Sequence, residues 1–260
     1  MGTIETLANK LAQARLSGGT VPQNALEGID TIETAYKVQR AVEGIHGMPR
    51  AGWKIGATSE IAQEALNTKE PVSAPMFVPT CYTSPYHLTI HKGQGVSVES
   101  EFGFRFKSDL PPRDNLYELD EVLDAVDIMF PVIEVVGSRW EGGLGNLGPV
   151  RLVADMVSHI GLITGPDVTN WREIDLPGHI VTLYQNGEEI VEGKGANTMG
   201  SPLLVLEWTA NHLSARGESI VAGEIISTGT CTGITPVNSG DELIADFGNI
   251  GKVKLQITEE

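Results

Sequence analysis

The run Phe130-Pro-Val-Ile-Glu-Val-Val-Gly137 constrains this chain most, because it sets one carboxylate, Glu134, inside an otherwise apolar stretch. Such a stretch reads as a strand covered on both faces. A fold containing it must supply a layer on each side, and burying the carboxylate without a partner would be costly. Two arrangements meet that demand. One is an ion pair with Arg139 just downstream; the other is a hard cation shared with further oxygen ligands, for which Mg²⁺ or Mn²⁺ is suited.

A second strand offers candidates for those further ligands. From Val96 to Phe106 the residues alternate with period two, which sets Glu99, Glu101, Gly103 and Arg105 on one face and Val98, Ser100, Phe102, Phe104 and Phe106 on the other. Two carboxylates about 4 Å apart repel by roughly 4 kcal/mol at an effective dielectric near 20, so the pair needs a cation, a shared proton or solvent. For an isolated E-x-E, a solvated acidic face is the ordinary explanation.

The texture around these runs defines the fold class. From Gly52 onward, short β-branched or aromatic runs such as GWKIG, HIVTLYQNGEEIVEGKG and GKVKLQI alternate with glycine and proline, and Asn186-Gly187 is suited to a type I′ hairpin turn. Helical patterns cover Ile4 to Leu16 and a segment opening at Asp30, where Glu33 would complete a capping box ahead of Ile32, Ala35, Val38, Val42 and Ile45. Further helices are expected from Leu116 to Ile128 and from Ser201-Pro202 to Gly217, the latter with Leu203, Leu206, Ala210 and Leu213 as its stripe. Strands and helices do not alternate strictly. The expectation is therefore an α+β fold: an N-terminal helical segment over residues 1–50, then a catalytic β-rich domain over 51–260 with a mixed, largely antiparallel roll or barrel-like core.

Bulk properties narrow the function classes. The 260 residues suffice for a sizeable core, and 34 acidic residues against 18 basic ones give a formal net charge of −16, which disfavours nucleic acid and anionic membrane surfaces as partners. Cys81 and Cys231 stand in no disulfide or metal spacing, and the chain shows neither a leader pattern nor an apolar span of about 18 residues, so a soluble, cytoplasmic protein is expected.

Other candidates for chemistry have competing readings. Lys54, between Trp53 and Ile55 and flanked by glycines, could lose its proton more easily than a free lysine and serve in acid/base work, or could be an ordinary snorkelling side chain. The stretch Gly142 to Gly148 suits a mobile loop over a site, and Thr228 to Gly233 suits either an anion contact or a tight turn. The six histidines, His159 beside Ser158 included, form no catalytic spacing and are read as structural.

Taken together, GWKIGATS at 52–59, VESEFGFRF at 98–106, VIEVVGSR at 132–139, AYKVQRAV at 35–42 and the closing PVNSGDELIADFGNIGKV resemble the 2-oxopent-4-enoate hydratase and 4-oxalocrotonate decarboxylase group of the fumarylacetoacetate hydrolase superfamily. The resemblance implies a mixed β-roll core, a homo-oligomer, and one divalent ion, Mg²⁺ or Mn²⁺, held by Glu99, Glu101 and Glu134. It also implies a small 2-oxo acid substrate that chelates the ion and passes through an enolate, with Lys54 moving a proton. Substrate contacts would fall to Thr58, Ser59, Met76, Phe77, Arg139, Asp155 and Thr230.

Three positions depart from the group's pattern. Val72 stands where hydratases of the group carry a water-activating aspartate, Asp155-Met-Val-Ser158 replaces the usual Asp-Asn-Ala-Ser, and Ser201 stands where Gly-His-Pro is common. A hydratase-like hydro-lyase is the first reading and a 4-oxalocrotonate-type decarboxylase the second. An acylpyruvate-type C–C hydrolase is a third, suggested by Thr228-Gly-Thr230. A metal- or 2-oxo-acid-binding protein without catalysis is the reading from outside enzymology.

Overall fold

Residues 2–145 and 147–260 are described by the computed structural model; Asn146, within the glycine-rich stretch expected to form a loop, lies outside them. The helices are α1 (Thr3–Ser17), α2 (Ile32–His46), α3 (Glu60–Leu66), α4 (Leu119–Asp124), α5 (Gly148–Ala154) and α6 (Pro202–Ala215). The strands are β1 (Arg50–Gly56), β2 (Val72–Phe77), β3 (Cys81–Thr83), β4 (Tyr86–Ile90), β5 (Val96–Phe106), β6 (Val126–Val136), β7 (His159–Thr164), β8 (Ile180–Gln185), β9 (Glu188–Lys194), β10 (Ile225–Ser227), β11 (Thr235–Val237), β12 (Glu242–Asp246) and β13 (Lys252–Glu259).

Two mixed sheets carry the architecture. The larger runs in the order β2-β1-β10-β5-β6-β7-β3, with β11 also pairing β5, and the smaller runs β4-β13-β12-β8-β9. Antiparallel pairs predominate; β1 with β10, β3 with β7 and β4 with β13 are parallel. The two long strands β5 and β6 form the centre, in a register that sets Glu99 opposite Glu134 and Glu101 opposite Val132.

The alternation along β5 is realised with both faces covered. Val98, Phe102, Phe104 and Phe106 enter the main core, where Phe102 meets Phe247 edge-on at 5.3 Å and Phe104 meets Trp171 at 5.7 Å. Each such ring, fully buried, contributes roughly 1.5–3 kcal/mol of burial free energy. A second core joins α1, α2 and α5 to the β2 end of the large sheet through Leu7, Leu11, Val38, Val42, Val153 and Met156.

Several local expectations shift in detail. Helix α2 is capped by Thr31, whose side chain accepts from the Thr34 N–H, and not by Asp30 with Glu33. Ile45 is exposed, because the buried stripe ends at Val42. The helix expected over Leu116 to Ile128 is only α4: Val126 already belongs to β6, where a long buried ladder with β5 outweighs helical periodicity. The Asn186-Gly187 turn joins β8 to β9, both residues holding positive φ (55° and 86°), and Ser201 caps α6.

Gly52 permits the close parallel approach of β1 and β10. Its φ is +148°, and a Cβ there would overlap the backbone carbonyl of Ile225. Gly52→Ala should therefore destabilise the protein by at least about 3 kcal/mol, with a matching fall in the urea midpoint. A midpoint within error of the parent would show that β1 and β10 do not need this contact.

Candidate active site

Glu99, Glu101 and Glu134 converge because β5 and β6 are neighbours in register, and all three project from one sheet face. One carboxylate oxygen from each lies within 4.8 Å of the others, and the three residues are at most 8% exposed. The readings of Glu99 and Glu101 as a solvated acidic face and of Glu134 as an ion pair with Arg139 are both corrected. Glu134 faces Lys54 Nζ at 3.2 Å and His159 Nδ1 at 2.9 Å, whereas Arg139 donates from Nε to Asp155 at 2.6 Å.

The sheet is built around these carboxylates. Strands β10 and β11 pair with the two ends of β5 and leave its middle to the intervening segment 228–234. There the N–H of Gly229 donates to Glu101 Oε2 at 3.0 Å, the hydroxyl of Ser227 donates to the same oxygen, and the N–H of Cys231 donates to Ser100 O at 2.8 Å. Glu101 Oε1 remains buried without a hydrogen-bond donor, and Glu134 Oε2 has the Lys54 ammonium as its one neighbouring cation.

Electrostatics follow from this crowding. Burial first, then mutual repulsion only partly offset by Lys54, pushes Glu99 and Glu101 up to about 8, and burial raises Glu134 as well. A cluster of oxygen donors that resists ionisation for want of a cation fits a hard divalent ion. For Lys54, burial alone would favour the neutral amine, but Glu134, Glu99 and Glu101 outweigh it and raise its value above that of a free lysine. Lys54 is thus a buried ammonium donating to Val157 O at 3.0 Å, which corrects both the snorkelling reading and the expectation of easier proton loss.

The segment that supplies Val157 O is strained. Met156, Val157 and Ser158 hold φ of 54°, 48° and 60°, a left-handed turn that costs roughly 1–3 kcal/mol per non-glycine residue and most for a β-branched one. The turn directs the Val157 carbonyl to Lys54 and leaves the Ser158 hydroxyl buried, unpartnered and in the cavity wall. It also delivers His159, whose Nε2 lies 3.0 Å from Thr80 Oγ1. Burial and the neighbouring cations Arg15, Lys54 and Arg139 hold His159 well below its ordinary value, so the ring is neutral and orients Glu134. His159, read as structural from the sequence, stands in direct contact with the carboxylate cluster.

A cavity of about 370 Å³ opens from Lys54 and Glu99. Thr58, Ser59, Ser158 and Thr230 line its polar side; Ile61, Leu66, Leu144, Leu147, Leu152 and Ile234 line the rest. Of the residues expected at the substrate, Thr58, Ser59 and Thr230 are brought together here and the others are not. Met76 packs with Phe130, Val132 and Leu162 beneath the site, Phe77 and Arg139 line a different cavity, and Asp155 is consumed by Arg139. Gly229 lies in the stretch read as an anion contact or a tight turn, and its N–H meets a carboxylate; Ser158 and His159 are read as structural from the sequence and Ser227 is not singled out there, since only tertiary contact brings them to the site. The replaced Asp-Asn-Ala-Ser segment was the one local signal.

A mixed roll carrying three buried carboxylates and a buried lysine at the inner end of a cavity defines a class: an enzyme scaffold built around a cluster of oxygen ligands suited to a divalent metal. Residues 55–258 match the family model of the fumarylacetoacetate (FAA) hydrolase C-terminal domain, and the chain belongs to this family. It is 29% identical over 254 residues to a 4-oxalocrotonate decarboxylase of Pseudomonas sp. (strain CF600), covering 96% of this chain and 95% of the relative. It is likewise 29% identical over 263 residues to a 2-keto-4-pentenoate hydratase of Paraburkholderia xenovorans (strain LB400), covering 97% and 94%. The structure of 4-oxalocrotonate decarboxylase from Pseudomonas putida G7, complexed with magnesium and adipate, superposes with a TM-score of 0.88 at 27% identity, covering 98% of this chain and 97% of that one.

Metal titration tests the cluster. Glu134→Gln and His159→Ala should each lower Mg²⁺ or Mn²⁺ affinity by about tenfold or more, while the exposed Glu118→Gln leaves it unchanged. Because Glu99 and Glu101 ionise only near pH 8 in the metal-free protein, the ion must displace protons below that point. Affinity should accordingly rise from pH 6 to about 8 and then level off. A flat profile, or equal affinities in all three variants, would place the ion elsewhere.

Proposed function

We propose that this protein is a divalent-metal-dependent lyase acting on a small unsaturated 2-oxo acid, with Glu99, Glu101 and Glu134 as metal ligands and Lys54 as the proton-transferring group. When bound, the ion supplies Lewis-acid polarisation of the substrate's oxygens and offsets the carboxylate charge that otherwise holds Lys54 protonated. Lys54, fixed between Val157 O and Glu134, holds a proton at the inner end of the cavity, where it can be exchanged with a carbon of the substrate chain. The hydroxyls of Ser158 and Ser59 are placed to orient the acid head, and the apolar walls exclude water from the rest of the chain.

A hydro-lyase of the 2-keto-4-pentenoate hydratase type is the primary reading. The observation that carries it is the apolar far end of the cavity: Lys54 and Glu99 are the only charged groups among its described lining residues. A substrate with one carboxylate and a short hydrocarbon end suits this lining, whereas a second carboxylate would find no cation there. One observation favours decarboxylation instead. Val72, opposite Gly56 on the adjoining strand, joins an apolar cluster with Ala57 and Val157, so no second acid stands ready to activate water.

We further propose that the enzyme works as a homo-oligomer in the cytoplasm. Two free cysteines suit a reducing compartment, and exposed Val78 and Val221 beside Arg50 and Glu224 form a shallow surface suited to subunit contact.

Product analysis by NMR separates the reactions. Incubation with 2-hydroxypenta-2,4-dienoate should give the hydrated 4-hydroxy-2-oxo acid in a manner abolished by EDTA and restored by Mg²⁺. Release of CO₂ from 4-oxalocrotonate would select the decarboxylase, and no turnover of either would leave a binding protein. Lys54→Met should retain the metal yet slow turnover by roughly two to four orders of magnitude; an unchanged rate would remove Lys54 from the chemistry.

A further inference from the structure

A second cavity, of about 210 Å³, is linked to the first through Glu134, which meets Lys54 of one and His159 of the other, and its walls carry net positive charge. Arg15 from α1 and Arg139 from the end of β6 both line it, together with His46, Thr80 and His159, and no carboxylate stands among its described lining residues. Apolar side chains, chiefly Phe77, Leu88, Ile90 and Ile160, complete it. In a chain of net charge −16, two guanidinium groups converging on one cavity call for an explanation.

Asp155 holds Arg139 through its carboxylate and through its carbonyl, which accepts from Arg139 Nη2 at 3.0 Å, whereas Arg15 is only partly satisfied. Asp155, fully buried, accepts from Arg139 Nε at 2.6 Å and from the Arg139 N–H at 2.8 Å, which leaves it 3.6 Å from Arg15 Nη1. Arg15 donates through Nη2 to the carbonyl of His159 at 2.7 Å, but its Nη1 is buried and reaches no acceptor, and His46 Nε2 is likewise buried and unpartnered. One carboxylate thus faces two guanidiniums. Burial and the repulsion of Arg139 lower Arg15 to about 9, the signature of a cation short of counter-charge.

We propose that this cavity is a second ligand site, for a small carboxylate with a short apolar tail, whose head is taken by Arg15 and Arg139. Planar guanidiniums bind carboxylates through paired N–H donors, and the apolar wall of Phe77, Leu88 and Ile90 receives the tail. The site adjoins the metal cluster through one residue. His159 lines the cavity, is held by Arg15 through its carbonyl, and touches Glu134 through its ring.

Calorimetric titration of the EDTA-treated full chain with butyrate tests the proposal apart from the metal-centred function. Saturable binding should weaken by about tenfold or more in Arg15→Gln, the equivalent of one charge-assisted hydrogen bond, and persist in Lys54→Met and in the surface variant Lys107→Gln. Absence of binding, or loss in Lys54→Met with retention in Arg15→Gln, overturns it. Should Arg15→Gln fail to fold by circular dichroism, a crystal of the unaltered protein grown with 3-bromopropionate decides the matter. An anomalous peak beside Arg15 and Arg139 supports the site, while a peak elsewhere or an acidic side chain of a second copy between the guanidiniums refutes it.

Discussion

Mutual repulsion among three carboxylates that the fold almost wholly buries is the constraint on which the rest of this structure depends. Oxygens of Glu99, Glu101 and Glu134 lie within 4.8 Å of one another on the central strand pair, and each carboxylate alone disfavours ionisation of the others. Their surroundings are consequently arranged as compensation. The backbone N–H of Gly229 and the hydroxyl of Ser227 serve Glu101, while the ammonium of Lys54 and the imidazole of His159 serve Glu134. One buried oxygen, Glu101 Oε1, is left without a donor, which is where a cation fits.

That compensation explains irregularities that would otherwise weaken the fold. The ladder of β5 is broken in its middle so that the 228–234 segment can turn N–H groups toward Glu101 and β5. Three consecutive non-glycine residues in the left-handed region aim a carbonyl at Lys54 and a hydroxyl into the cavity. Both departures sit beside the carboxylates, and the dense packing of the two apolar cores is what sustains them. Local sequence preference is overridden where the site requires it.

This division also marks how far the sequence could be read. Period-two alternation put Glu99 and Glu101 on one face and the phenylalanines on the other, and the apolar run around Glu134 marked a doubly covered strand; both are found, as are the Asn186-Gly187 hairpin and the Ser201 cap. Those features depend on neighbours in the chain or on simple periodicity. Lys54 was harder: its burial was suggested by Trp53 and Ile55, but the sign of its shift depends on three carboxylates 45 to 80 residues away. Arg139 is the opposite lesson, since proximity to Glu134 in sequence suggested a pair that the turn after β6 prevents by handing Arg139 to Asp155. The histidine that reaches Glu134 comes from β7, and no spacing rule connects them.

In the proposed reaction, the steps beyond the acid head fall to a different part of the molecule. The carboxylates and Lys54 stand on rigid central strands, whereas the far wall is drawn from α3, the segment before α5 and the 228–234 turn. Activation of a substrate can therefore stay constant while the wall changes the later steps, because the first depends on charge held in the sheet and the second on which side chains the loops present. Val72 illustrates the separation. Opposite Gly56 on β2, it packs into the apolar cluster with Ala57 and Val157, touches none of the carboxylates, and supplies no proton donor or acceptor there. With a valine at this position, water must be activated by Lys54 or by the hydroxyls of the cavity wall if hydration is the outcome, and need not be activated at all if carbon dioxide leaves instead.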